Sequence, residues 1–331
     1  MSVKRSCYHS ISVANTQLGG ARASRATRTR HGREFVDFCL EQRFPISDIH
    51  EIRVEWLKAW IQDLKLSTNG VATIANKVSS VRALSQPRGI ARTKENGAFS
   101  SQDIGLEKRS RIGKKSPITD GLFNSAIESA LSMGEEGFAH AVRLERYLGL
   151  RGLEALMSTQ ALKIYATQAQ VLMTVGSNSI HIQDGTKGGR PRDVAVIKQY
   201  ASQTYEAIIA ALNFAKSHGG FLIVGKAHGG LKAARLKYHR LAAKVGLTGE
   251  FSPHSLRYRY CTDKLIELRD AGYPRSEALA FASSCLGHGP SRGRFVSCVY
   301  GRTVTHLLPR STRLQNISVL IKWLEQFPDD L

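Results

Sequence analysis

The residues best able to do chemistry lie between Ser252 and Tyr300. The stretch opens Ser252-Pro253-His254-Ser255-Leu256-Arg257, continues through Cys285-Leu286-Gly287-His288, and reaches Val299-Tyr300. Ser252 suits an N-cap and Pro253 a first helical position, which puts His254 and Arg257 on one face of the first turn. Free backbone N–H groups at such a helix start favour an anion, most naturally a phosphate. Leu286-Gly287 reads as a helix end, with His288 just beyond it and a loop rich in Gly and Arg leading to Tyr300. A phenol downstream of two histidines and an arginine suggests a nucleophile aimed at a phosphodiester.

Two earlier stretches add charge. In Leu148-Gly149-Leu150-Arg151-Gly152-Leu153-Glu154, Arg151 stands where two helices meet, with glycines close on either side, and Glu154 is spaced to pair with it. A structural ion pair and a catalytic guanidinium are both open on that spacing. Asp184-Gly185-Thr186-Lys187-Gly188-Gly189-Arg190-Pro191-Arg192 is a loop, and its Lys187 reads either as a surface lysine of a glycine loop or as a reacting group.

His-x-x-Arg, then Leu-Gly-His, then Tyr resembles the C-terminal box of the tyrosine recombinase (phage integrase) family. Gly-Leu-Arg with Glu after it resembles that family's first motif, and Thr-Lys-Gly-Gly-x-Pro-Arg places Lys187 at the family's hairpin lysine. The resemblance runs in order through Arg151, Lys187, His254, Arg257, His288 and Tyr300. It implies that Arg151 and Arg257 clamp the non-bridging phosphate oxygens, and that Tyr300 attacks phosphorus to give a 3′-phosphotyrosyl bond. Lys187 would protonate the leaving 5′-oxygen, His254 would assist the phenol as base, and His288 would donate to the phosphate. The departure is Gly289-Pro290-Ser291-Arg292-Gly293-Arg294, which lengthens the run from His288 to Tyr300 and leaves Tyr258, Tyr260 and Tyr273 as fallback nucleophiles.

Composition fits such a substrate. The 331 residues suffice for two domains, and 42% hydrophobic content can supply a core. Lys and Arg number 47 against 27 Asp and Glu, a formal charge of +20, which implies a polyanionic partner, nucleic acid before membrane. The five cysteines form no C-x-x-C pair and no zinc spacing, so reduced thiols and a cytoplasmic, nucleoid-associated protein are expected. No apolar run is long enough to span a membrane. Met1 to Arg33 holds no acidic residue, a pattern shared by organellar transit peptides and DNA-contacting arms; the basic bias continuing beyond it favours the arm.

These groups need a scaffold. The fold class expected is mainly α with a small antiparallel β-sheet (α+β): a helical core-binding domain plus a tyrosine-recombinase-like catalytic domain. Residues 1–21 read as a basic flexible arm, 22–87 as the helical DNA-binding domain, 88–115 as a basic linker, and 116–331 as the catalytic domain with a C-terminal helix. In the first domain Phe35, Phe38 and Cys39 sit near helical spacing, as do Trp56, Leu57, Trp60, Ile61 and Leu64, then Ile74, Val78 and Val81. The tryptophans read as core rather than as a base-stacking platform. Arg22, Arg25 and Arg28 recur on one side of the first of these helices, and Lys77 and Arg82 lie on the last.

In the second domain Ser116-Pro117 is a helix-start signal. Val171–Val175, Asn178–Gln183 and Asp193–Ile197 read as strands, and Lys198–Ser217 as a helix. Residues 231–245 form a basic helix with Lys232, Arg235, Lys237, Arg240 and Lys244, either a DNA contact or a solvated face. Leu314, Ile317, Leu320, Ile321 and Leu324 mark a tail helix that must dock on its own domain or on a neighbouring protomer, and the family resemblance implies the neighbour. Arg22, Arg25, Arg28, Lys77, Arg82, Arg190, Arg192 and Arg235 are the candidate DNA contacts.

The function expected is a site-specific recombinase of the integrase type, acting without metal, ATP or other cofactor. Its partners would be double-stranded DNA at a specific site and its own copies, a tetramer on two sites, with accessory DNA-bending or directionality proteins. A type IB topoisomerase-like enzyme and a non-catalytic DNA-binding regulator are the alternatives.

Overall fold

The computed structural model describes residues 2–67, 70–86, 101–107, 110, 112–175, 179–223 and 230–310, with 172–175 as backbone alone. The chain divides into two compact units, 1–110 and 111–331.

Among the described residues the first unit has four α-helices: α1 (Val3–Leu18), α2 (Arg22–Glu41), α3 (Val54–Leu66) and α4 (Val71–Leu84). The expected flexible arm is therefore a helix. Ser2 caps it, accepting the Arg5 N–H at 3.4 Å, and Cys7, Ile11 and Ala14 form its buried stripe. Helix α2 supplies the close approach: a Cβ on Gly32 would lie 2.7 Å from a Leu84 methyl and 3.2 Å from an Ile11 methyl. Trp56 and Trp60 are core, Trp60 meeting Phe35 edge-on at 5.1 Å and Trp56 stacking on Phe44 at 5.6 Å. Each such fully buried side chain contributes roughly 1.5–3 kcal/mol.

The expected linker is built into both units at its described ends. Ile104 is buried in the first core and Glu107 pairs with Lys65 at 3.1 Å, while Gly113 and Ile118 are buried in the second unit. Residues 68–69 and 87–100 lie outside the described residues.

The second unit surrounds α6 (Glu136–Leu148), which is buried on most of its circumference and follows α5 (Asp120–Ser132). Thr119, not Ser116, caps α5, accepting the Leu122 N–H. Next come α7 (Gly152–Met157) and α8 (Leu162–Val175). The strand expected at Val171–Val175 is the last turn of α8, because Leu162, Tyr165, Ala166 and Ala169 set a buried helical stripe that carries the apolar run with it. The sheet thus has two antiparallel strands, β1 (Ser179–Ile182) and β2 (Arg192–Ala195), with Ile180 opposite Val194 and Ile182 opposite Arg192. Helices α9 (Ala201–Ser217), α10 (Gly230–Lys244), α11 (His254–Asp270), α12 (Arg275–Cys285) and α13 (Gly293–Val299) complete it. Residues 311–331, including the expected tail helix, lie outside the described residues. Among the described residues no helix is long and apolar enough to cross a membrane.

Candidate active site

Three helix ends and two helix starts meet at the site. Helix α6 stops at Gly149, in the left-handed region (φ 57°), where a Cβ would lie 2.5 Å from the Tyr260 ring. The chain then turns through extended Arg151 into α7. Arg151 is locked there by one carboxylate: its N–H donates to Glu154 Oε2 at 2.7 Å and its guanidinium Nη1 to Oε1 at 2.5 Å.

Glu154 is fully buried and holds more than Arg151. Arg192, at the start of β2, donates a fork to both oxygens at 2.8 and 2.7 Å, and Arg257 Nη1 stands 3.9 Å away. Burial pushes the Glu154 carboxyl up, but the Arg192 hydrogen bonds and the charges of Arg192, Arg257 and Arg151 outweigh it and hold it at about 2. Arg192, expected as a DNA contact, is thus a buried structural cation, 7% exposed, with its Nε donating to the Cys285 carbonyl at 2.8 Å. The signal was legible in the strand's period of two: Arg192 and Val194 share the inward phase, Asp193 the outward one.

Helix α12 closes with a Schellman turn. The Gly287 N–H donates to the Ser284 carbonyl at 2.7 Å and the His288 N–H to Ser283 at 2.9 Å. That leaves the Leu286 carbonyl to accept from Arg151 Nη2 at 3.3 Å and from Arg257 Nη2. Arg257 also donates Nη1 to the Gly149 carbonyl, so two helix C-terminal carbonyls hold one fully buried guanidinium. Burial lowers its pKa to about 10, which keeps it cationic at neutral pH, and its buried Nε has no acceptor among the described residues.

Helix α11 begins at His254, one residue later than expected. The Ser252 hydroxyl does not cap it, because it accepts from the Lys115 ammonium instead. The Ser255 and Leu256 N–H groups are taken by the carbonyls of Ser252 and Pro253 at 2.7 and 3.1 Å, so the anion seat expected from free backbone donors passes to side chains.

Tyr300 ends α13, a short helix where a loop was expected, and is 4% exposed. Its phenol lies 3.1 Å from His254 Nε2 and 3.4 Å from His288 Nε2, able to donate to one imidazole and accept from the other. Tyr258 packs on the Tyr300 ring at 4.7 Å, and Arg257 lies 5.9 Å from the ring centroid. Burial, then the charges of Arg257 and Arg151, lower His254 to about 3; the same causes in the same order lower His288 to about 4. Both imidazoles are neutral at pH 7.

The structure thus gathers Arg151, His254, Arg257, His288 and Tyr300. Lys187 stands exposed on the turn between β1 and β2, and its charge bears on His288 less than those of Arg257, Arg151 and Arg292. Of the fallback tyrosines, Tyr260 is fully buried with its hydroxyl on the Ala195 carbonyl, and Tyr258 and Tyr273 are packed in the core. Among the candidate DNA contacts, Arg22, Arg25, Arg190 and Arg235 are exposed. Arg28 instead donates to Asn15 Oδ1 at 2.9 Å and to the Gly19 carbonyl, and Lys77 pairs with Glu34 at 2.9 Å. Arg82 is half-buried on α4. On α10, Lys232, Arg235, Arg240 and Lys244 are exposed, while Lys237 pairs with Glu135 at 2.8 Å.

Residues 105–263 match the family model described as integrase, a span that contains Arg151, Lys187, His254 and Arg257 and stops before His288 and Tyr300. The solved integrase of transposon Tn1549 in complex with transposon right end DNA is 15% identical, covering 98% of this chain and 99% of that one, with a TM-score of 0.54. The same integrase in complex with circular intermediate DNA is 16% identical, covering 97% and 99%, with a TM-score of 0.51. At such identity these likenesses speak for the fold. No curated protein matches the sequence. The integrase match over the first four site residues, and a fold that brings His288 and Tyr300 onto them, support the tyrosine recombinase (integrase) family for this chain.

Proposed function

We propose that Tyr300 is the nucleophile with which this site-specific recombinase opens and reseals DNA strands. The observation that carries the reading is the Tyr300 phenol held between two neutral imidazoles beside buried Arg257. The phenol oxygen attacks phosphorus and passes its proton to His254 Nε2. The P–O5′ bond breaks, a 3′-phosphotyrosyl bond forms, and Lys187 gives a proton to the departing 5′-oxygen. Arg151 and the unpartnered Nε–H of Arg257 donate to the non-bridging oxygens, and His288 donates to the phosphate. The bond energy stays in the phosphotyrosyl link, so rejoining by the 5′-hydroxyl needs no ATP. The partner is double-stranded DNA, as it is in the complexes of the Tn1549 integrase, and the working assembly is a tetramer on two sites.

The test uses the full chain and a nicked duplex carrying a site selected by binding from a randomised library. Tyr300→Phe keeps DNA binding and forms no covalent adduct; an adduct in that variant would assign the attack to another group. Lys187→Ala cleaves ordinary DNA at least a hundredfold more slowly, and a 5′-bridging sulfur restores most of the loss because thiolate leaves without a proton. General acid catalysis contributes about 10²–10⁴-fold in rate. Equal impairment on both substrates would remove Lys187 from the acid's role.

A further inference from the structure

We propose that residues 113–118 form a strap that positions Tyr300 against His254, with Gly113 and Lys115 as its positioning residues; the proposal rests on the reading of Tyr300 as nucleophile. Two chain segments carry the two partners, the end of α13 for Tyr300 and the start of α11 for His254, and the strap is bonded to both.

On the Tyr300 side, the buried Gly113 donates its N–H to the Cys298 carbonyl at 3.0 Å. A Cβ at Gly113 would lie 2.5 Å from the Val299 carbonyl oxygen, 3.0 Å from Val299 Cα and 2.9 Å from the Tyr258 hydroxyl. Its φ is not in the left-handed region, so space alone requires glycine here. The crowded atoms belong to the residue preceding Tyr300 and to the ring packed on Tyr300.

On the His254 side, the Lys115 ammonium donates to the Gly249 carbonyl at 3.1 Å and to the Ser252 hydroxyl, just ahead of α11. The Ile118 N–H donates to the Ser255 carbonyl at 3.3 Å. Between them the Ser116 hydroxyl joins the two sides, donating to the Glu250 carboxylate and accepting from Arg302 Nη2 at 3.3 Å. The 3.1 Å gap between the phenol and His254 is thus spanned by one six-residue segment that is bonded to both walls. Lys115 also acts through charge, since it is among the cations that disfavour protonation of His254.

The experiment measures single-turnover adduct formation by the full chain on the selected nicked duplex. Gly113→Val is expected to lower the rate at least tenfold while DNA affinity stays within threefold. Lys115→Met is expected to lower the rate and to move the acid limb of the pH–rate profile to higher pH, because His254 then takes up a proton more readily. Lys115→Arg restores the limb. A merely structural loss would scale the whole profile without moving it. Should Gly113→Val not fold, Ser116→Ala decides together with Lys115→Met, since it removes only the hydroxyl that joins the two sides and is expected to slow the reaction several-fold. Wild-type rates in the folded variants, or an unmoved acid limb in Lys115→Met, overturn the strap. An adduct in Tyr300→Phe overturns the nucleophile reading instead, so the two failures are distinguishable.

Discussion

Arginine is used in two opposite ways in this protein. In the second unit Arg151, Arg192 and Arg257 converge on one buried carboxylate, Glu154, and each also donates to a carbonyl at a helix end. On α2, Arg22 and Arg25 stand in solvent, paired with no carboxylate among the described residues, on a groove they share with Ser12 and Thr16. The first cluster spends its charge on internal geometry, because a desolvated guanidinium must be paired and hydrogen-bonded to be tolerated. The second keeps its charge in water, where its effect on folding is small and its effect on a polyanion is large. One residue type therefore sets shape in one region and stays in solvent in the other, and the deciding variable is whether a carboxylate is buried with it.

The comparison breaks most visibly at Glu154. Glu154→Gln leaves Arg192 and Arg257 buried against a neutral amide. Removing one partner of a buried pair costs about 3–5 kcal/mol. The expected outcome in urea denaturation is a loss of that size, with adduct formation abolished because Arg151 and Arg192 lose their common anchor. A loss under about 1 kcal/mol, the worth of an exposed pair, would mean that the cluster is not desolvated in solution.

The histidines sharpen the same contrast through pH. His254 and His288 are held near 3 and 4, against 6.5 in an unfolded chain, so below pH 6.5 the unfolded state binds more protons than the folded one. Their contribution to stability is full above pH 6.5 and is lost as pH falls toward 4 and below. Glu145, pushed up to about 8 by burial, works the other way between pH 4.5 and 8, and buried His140 in the same unit is also lowered. The readout is therefore the difference between the wild type and His254→Asn/His288→Asn. Its stability should fall less steeply with acid between pH 6.5 and 4 than the wild type's. Parallel curves would show that the two rings already titrate near 6.5 in the folded protein.

Much of this was legible in the sequence, for reasons that differ by residue. The core stripes of α3 and α4 were readable because Trp56, Trp60, Ile74 and Val78 follow the helical period and bury as it predicts. The box from His254 to Tyr300 was readable as a set of residue types in order. What escaped was pairing across long sequence separations. Arg192 looked like a DNA contact because, although the strand's alternation turns it inward, nothing local reveals that Glu154 lies under it, and the end of the expected linker concealed Gly113, whose need for glycine comes from Val299. The arm at 1–21 misled by its charge. Lys4 and Arg5 are exposed on the outer face of α1, while Cys7, Ile11 and Ala14 carry the fold, so a basic composition and a buried stripe coexist on one helix.

The smallest expected effect on the fold, and the most specific on binding, comes from α2. Each phosphate neutralised steepens the log–log dependence of affinity on salt by about 0.9 for duplex DNA. Arg22 and Arg25 are exposed, whereas Arg28 is committed to Asn15 and to the Gly19 carbonyl at the α1–α2 junction. Arg22→Ala with Arg25→Ala should therefore flatten the slope by about 2, with thermal stability nearly unchanged because neither side chain has a carboxylate to lose. Adding Arg28→Ala should leave the slope where the double variant put it and lower the melting temperature, since the Gly19 carbonyl and Asn15 lose their donor. Fluorescence titration of the selected duplex from 50 to about 200 mM salt, beside a thermal melt of each variant, reads both quantities. A further fall in slope on removing Arg28, with no change in melting, would show that this guanidinium leaves its helix junction to meet phosphate. An unchanged slope in the double variant would make the open face of α2 a solvated surface and confine the DNA contacts of this unit to other residues.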